Sequence, residues 1–298
     1  MKYRLFCLLA SVIWGFAFVA QVAGMDSIGP YTFNGIRFLI GSAVLIPIIL
    51  CSKGQHNPVK TSIPLSVAIL CVGIPLFIGA TLQQVALQYT TASKASFLTS
   101  TYILMVPLSG LFLGEPLKFN HVIGSLIAIS GVYFMSVTEY FTIGYGDLLI
   151  LLCAVGFTIQ IHMLNYFTRR FSPIILSSGQ FFVTGIFNFL LASLYETAST
   201  ENILHAWWPL LYTGIFSTGI AYTLQAVGQK HLPPTEASMI LSLEMVFGGI
   251  SGILFLHEFF TLRQFIGVIC MTIGVFLSQI PSRIIAGPTV HKQKRSLL

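Results

Sequence analysis

Pro30, Glu115, Gly124 and Gly131 recur as Pro173, Glu258, Gly267 and Gly274, each displaced by 143 residues. Gly73, Gln84 and Gln88 recur as Gly214, Gln225 and Gln229, displaced by 141. The chain therefore repeats itself, and the two-residue slippage is what a loop of different length produces. Each copy carries five long apolar stretches. If every stretch crosses a membrane, the odd number forces the second copy to run upside down relative to the first.

Composition supports that condition. Hydrophobic residues make up 55% of the 298 and charged residues 8%, against roughly 25% charge in a soluble protein. Polar surface is too scarce to face water, so lipid is the expected solvent. Ten apolar stretches are read at 5–23, 31–51, 63–86, 95–113, 119–138, 147–167, 173–195, 206–228, 235–256 and 260–280. Most approach the roughly 20 residues that span the hydrocarbon core as a helix. The expected fold is all-α: a polytopic membrane protein of ten transmembrane helices, built as two inverted five-helix repeats. The expected division is 1–143, 144–282 and a basic tail, 283–298. Inverted repeats of this kind are the usual architecture of secondary transporters.

Lys and Arg set the orientation. With the N-terminus inside, Lys2, Arg4, Lys53, Lys60, Lys118, Arg169, Arg170, Lys230, Arg283, Lys292, Lys294 and Arg295 are cytoplasmic, and only Lys94 and Arg263 lie in outer loops. This bias places both termini in the cytoplasm. The net charge of +6 thus reads as a topology signal and gives no reason to expect nucleic acid. Lys2 and Arg4 before an apolar run resemble a signal peptide, but the run is too long for one and has a counterpart in the second copy. The tail is expected to lie near anionic headgroups.

The five cysteines form no C-x-x-C pair, and His257-Glu258 has no second His at zinc-protease spacing. No disulfide, metal or cofactor is expected. No phosphate-binding G-x-x-x-x-G-K-[ST] occurs either, which disfavours direct ATP drive.

Several motifs stand in order along the chain. They are Trp14-Gly15, Pro30 with Arg37-Phe38, Ala95-Ser96, Val106-Pro107, Leu113-Gly114-Glu115-Pro116, Glu236-Ala237-Ser238, Leu243-Glu244 and His257-Glu258. Together they resemble the EamA-type family of the drug/metabolite transporter superfamily over residues 5–280. The resemblance implies two inverted halves around a central substrate cavity, lined and gated by the third and fourth and the eighth and ninth helices, and the export of metabolites or drugs. Two positions depart from the family pattern. Met245 replaces the proline that would kink the ninth helix, and His257 replaces the glycine of Gly-Glu.

Glu244 stands ten residues into its span, the only carboxylate near mid-membrane. A charge there costs about 2.5–3.5 kcal/mol on insertion scales, so it should face protein or a cavity. It is a candidate to bind a substrate amine or couple protons, and equally a candidate interhelical hydrogen-bonding group. His162 is a second proton-coupling candidate, since imidazole titrates near neutrality; the alternative is a neutral hydrogen bond. Gln84 and Gln225 are paired by the repeat and read as cavity lining or as interhelical glue. Trp14, Tyr102 and Tyr222 are mid-span aromatics with polar handles and complete the substrate-binding set. Arg37 is expected to be structural, reaching outer water or pairing with a carboxylate. Pro75 and Pro107 are candidate gating kinks. Gly124 and Gly131, Gly267 and Gly274, and Gly248 and Gly252 are candidate helix-packing positions.

No catalytic cluster is visible, which argues against an intramembrane enzyme. No continuous polar stripe is visible, which argues against a passive channel or facilitator. The expected activity is efflux of a small organic substrate by alternating access, with protons as candidate coupling ion. The bilayer and a second copy of the chain in a homodimer are the further partners considered.

Overall fold

The computed structural model describes residues 1–51, 61–115, 117–136, 143–280 and 284–286. Its elements are helical apart from one short strand pair. In chain order they are α1 (Lys2–Met25), α2 (Pro30–Cys51), α3 (Leu65–Ala86), α4 (Ala92–Thr99), α5 (Tyr102–Phe112), β1 (Leu117–Lys118), α6 (Phe119–Ser136), α7 (Tyr145–Thr168) and α8 (Pro173–Tyr195). They continue with α9 (Thr200–His205), α10 (Trp207–Leu211), a π-helical segment (Tyr212–Tyr222), α11 (Thr223–Gln229), α12 (Pro234–Leu241), α13 (Glu244–Leu256), α14 (Leu262–Gln279) and β2 (Ile284–Ala286). β1 and β2 pair antiparallel, Leu117 opposite Ala286.

Helices dominate because a segment in lipid must satisfy its own backbone. Pro173 and Pro234 open α8 and α12, where their missing N–H costs nothing. Thr261 opens α14 with a full capping box, its hydroxyl accepting from Gln264 N while the Gln264 side chain accepts from Thr261 N.

Among the described residues, seven helical stretches are long and apolar enough to cross a membrane. The count differs from the ten expected for identifiable reasons. Residues 207–229 are divided by the π-helical segment, and the apolar parts of α6 and α14 are shorter than a full span. The basic tail lies almost entirely outside the described residues, as do Lys53, Lys60 and Glu139.

Packing is reciprocal between the halves. α6 lies on α14 and α2 on α8; α3 packs against α7 much as the π-helical segment and α11 pack against α1. α4–α5 and α12–α13 pack against each other. Glycine permits the tightest contact: a Cβ on Gly124 or on Gly274 would stand 2.5 Å from the other's carbonyl oxygen. Gly131 faces Gly267 O in the same way at 2.7 Å. Gly248 and Gly252 of α13 leave room for the side chains of Ser96 and Ser93 of α4. Leu126, Ile129, Leu190, Leu254 and Phe255 are exposed and supply an apolar outer surface fit for acyl chains.

Candidate functional site

Two helices are interrupted at the same point. α4 ends at Thr99 and α5 starts at Tyr102; α12 ends at Leu241 and α13 starts at Glu244. Both breaks are spanned by tight i→i+3 bonds, Leu104 N to Thr101 O and Val246 N to Leu243 O. The ninth stretch therefore bends although Met245 has taken the proline's place. Ser242 and its surroundings supply the bend: Ser100 Oγ donates to Ser242 O at 3.2 Å and Ser96 Oγ reaches Met245 O at 3.5 Å. Side chains of one interrupted helix thus add hydrogen bonds to carbonyls at the break of the other.

Tyr102 and Glu244, 142 positions apart, each begin the half-helix after a break. Both line one narrow cavity with Trp14, Tyr222, Gln225, Gln21, Gln83, Gln160, Phe18, Phe157 and Arg37. A helix N-terminus favours a carboxylate, so the break that starts α13 also accommodates Glu244. The π-helical segment brings Ser217 and Tyr222 to the wall, and the Trp14 indole donates to Ser217 O at 3.1 Å. Trp14 and Tyr222 rings lie 4.6 Å apart. A relay of amides backs the wall: Gln225 donates to Gln160 at 3.2 Å, and Gln160 to Gln180 at 3.1 Å. Gln21 Oε1 and Gln225 Oε1 are buried without a hydrogen-bond partner among the described residues. The cavity volume is only about 30 Å³, close to a single water's share of liquid.

Three of the remaining candidates sit elsewhere. Gln84 points away from the cavity and donates to Gln21 O at 3.3 Å; its neighbour Gln83 lines the wall instead. His162 joins Ser109 Oγ at 2.9 Å and Val106 O at 3.2 Å, beside Pro107 of α5, and does not line the cavity. Pro75 lies within α3, whose helix continues through it. Arg37 was expected at outer water or on a carboxylate. It is 2% exposed, joins no ion pair among the described residues, and faces the cavity.

The two ends of the bundle are built from equivalent residues. At one end, called here the far face, Glu258 accepts from Ala92 N at 2.8 Å and Ser93 N at 3.0 Å, capping α4. Beside it Lys94 meets Asp147 at 2.5 Å. At the end where the chain begins, the near face, Glu115 accepts from Thr235 Oγ1 at 3.3 Å, and Arg4 meets Glu236 at 2.5 Å. Each glutamate follows a left-handed residue, Gly114 at φ 82° and His257 at φ 52°, and this turn aims it at the helix opposite. Histidine keeps the conformation at a cost of order 1 kcal/mol.

The resemblance between the ends is close, but the outcome differs. The near face holds a cavity of about 740 Å³ lined by Arg4, Glu115, Arg169, Thr235 and Glu236. Burial raises the Glu115 carboxyl above the ordinary range, opposed by the Thr235 hydroxyl and the Arg169 charge.

Comparison with known proteins places this geometry. The EamA-like transporter family matches residues 1–137 and again residues 144–279. The chain belongs to the EamA-like transporter family. An uncharacterized transporter of Archaeoglobus fulgidus is 33% identical, over 90% of this chain and 83% of its own. An uncharacterized transporter of Bacillus subtilis, YoaV, is 24% identical, over 93% and 97%. A chloroplastic WAT1-related protein of Arabidopsis thaliana is 25% identical, over 90% and 67%. One crystal structure superposes with a TM-score of 0.72 at 19% identity, covering 93% of this chain and 96% of its own, a likeness of fold. As an EamA-like protein the chain is a multi-pass membrane protein with a transporter's role rather than an enzyme's.

Proposed function

We propose that this EamA-like protein is a secondary transporter that exports small organic metabolites or drugs across the inner membrane by alternating access. Ten membrane-crossing stretches would form two inverted halves, with both termini cytoplasmic. The tandem family match and the reciprocal packing support the halves; the Lys and Arg distribution supports the orientation, which makes the near face cytoplasmic.

The observation that carries the mechanism is the unequal state of two equivalent ends around one narrow cavity. The far face is clasped by Glu258 on two backbone amides, while the near face opens on a vestibule of about 740 Å³. A cavity of about 30 Å³ is far below the roughly 300 Å³ of the smallest ligand sites. Substrate entry therefore requires the halves to part. Entry from the cytoplasm would separate α12 from Glu115, and release would separate α4 from Glu258. Trp14, Tyr102, Tyr222, Gln225 and Glu244 would contact the substrate, and Glu244 is the candidate to couple protons.

Counterflow tests this reading. Ligands are first found by thermal shift of the purified protein against amino acids, nucleobases and cationic drugs, because a ligand of the folded state raises the melting temperature. A labelled ligand is then offered to proteoliposomes. Excess unlabelled ligand inside should speed its uptake severalfold; equal rates with and without it would identify a channel.

A further inference from the structure

Arg37 has neither of the partners expected for a structural role, outer water or a carboxylate among the described residues. Its guanidinium lies in the apolar interior, stacked over Phe38 at 4.7 Å and near Phe33 at 5.8 Å. Only Nε has a protein acceptor, Asn34 Oδ1 at 2.8 Å, and Asn34 is itself tied to Ala80 O at 3.0 Å. The terminal nitrogens have no acceptor among the described residues. Among the described residues neither Arg37 nor Glu244 joins an ion pair, although both line the same cavity. An isolated buried charge is costly unless something pairs with it. Asn34 and the two rings fix the guanidinium plane, so the fork is already oriented.

We propose that Arg37 is the anion-binding residue of the substrate site, and that the substrate carries a carboxylate which seats on its terminal nitrogens. The inference rests on the central cavity being the substrate site and adds the substrate's chemical class. A planar guanidinium matches a carboxylate's two oxygens. One negative charge balances Arg37, whereas a phosphate monoester would bring a second that has no cation to pair with in the cavity lining. Trp14, Tyr222 and Phe157 supply an apolar wall for the remainder of the molecule.

The test uses the purified full-length protein in lipid nanodiscs, with a panel of amino acids and aromatic carboxylates, the carboxamide of each, and phosphate monoesters of similar size. Thermal shift and competition against the tightest binder are read for wild type, Arg37→Gln, Arg37→Lys and Trp14→Ala. Carboxylates should bind the wild type at least about tenfold more tightly than their amides, as a charge-assisted hydrogen-bonded pair implies. In Arg37→Gln that ratio should fall towards one while the amides still bind, and Arg37→Lys should recover part of it. Without ligand, Arg37→Gln should melt at the wild-type temperature or above, because it removes a charge that has no partner. A large fall in that melting temperature makes Arg37 structural and overturns the proposal, whether or not any probe binds. A carboxylate preference that survives Arg37→Gln overturns it too, as does tighter binding of amides or phosphate monoesters by the wild type. If Trp14→Ala weakens binding and Arg37→Gln leaves the preference intact, the cavity is the site and only Arg37's role fails. If neither variant alters binding, the cavity itself is the wrong site.

Discussion

The near and far faces use the same parts with different results. In each, a glutamate after a left-handed turn reaches the first residues of the opposite half's interrupted helix, and an ion pair joins that helix to the start of another. Ala92 and Pro234 are equivalent positions, 142 residues apart. Ala92 donates its backbone N–H to Glu258, and Pro234 has none to give. The near clasp is therefore built with one donor fewer, and Glu115 is left with the Thr235 hydroxyl. The proline accounts for one of the two backbone donors that the far clasp has and the near one lacks.

The ion pairs differ in a second way. Arg4 is equivalent to Asp147 and Lys94 to Glu236, so the charges are exchanged between the copies. Both pairs link the beginnings of two helices, but their surroundings are unlike. Asp147 is 2% exposed and Lys94 19%, against 34% for Glu236 and 63% for Arg4. Thr90 Oγ1 also donates to Asp147 at 3.2 Å. The far pair is shielded and braced, the near pair open to water.

The strongest way to break the contrast is Glu258→Ala. It strips the acceptor from two backbone amides and should cost about 2–3 kcal/mol of far-face closure, since these are charged hydrogen bonds. With the five native cysteines replaced, Ser96→Cys should then react at least about tenfold faster with an impermeant thiol reagent applied to the far side. Unchanged labelling would remove Glu258 from the clasp.

Pro234→Ala should sharpen the comparison by making the near face resemble the far one. It supplies the missing N–H to Glu115, worth about 1 kcal/mol or more, and should slow labelling of Met239→Cys at the vestibule severalfold. Equal or faster labelling would mean that the missing donor does not decide the asymmetry.

The smallest effect concerns the ion pairs. Lys94→Ala leaves Asp147 buried without its cation and should lower the melting temperature by several degrees. Arg4→Ala should change it little, because exposed pairs contribute about 0–1 kcal/mol. Equal losses would show that burial does not separate the two.

Part of this arrangement is readable in one dimension. The repeats, the apolar stretches and the lone mid-membrane carboxylate all follow from residue type and spacing, because hydrocarbon tolerates few charges. Helix phase is harder to read. In a lipid-embedded bundle the inner and outer faces are both apolar, so a stretch such as residues 65–86 hardly reveals which side turns inward. Hence Gln84 read equally as lining or as interhelical glue; Gln83 lines the cavity, and Gln84 serves a carbonyl of α1. Arg37 was visible as a charge, but the absence of a counter-charge appears only when every neighbouring helix is in place. The break before Glu244 was missed because proline was the signal sought, and the serines that complete it lie on separate helices. The positions of both clasps were available as Glu115 and Glu258; their partners, more than a hundred residues away, were not.

Composition and internal repetition alone determined that this chain is a lipid-embedded helical protein with a duplicated plan, since solvation free energy depends on residue type. Tertiary structure alone decided which polar groups meet. That outcome depends on the rotation of each helix about its axis and on contacts between halves, quantities that a pattern apolar on every side leaves open.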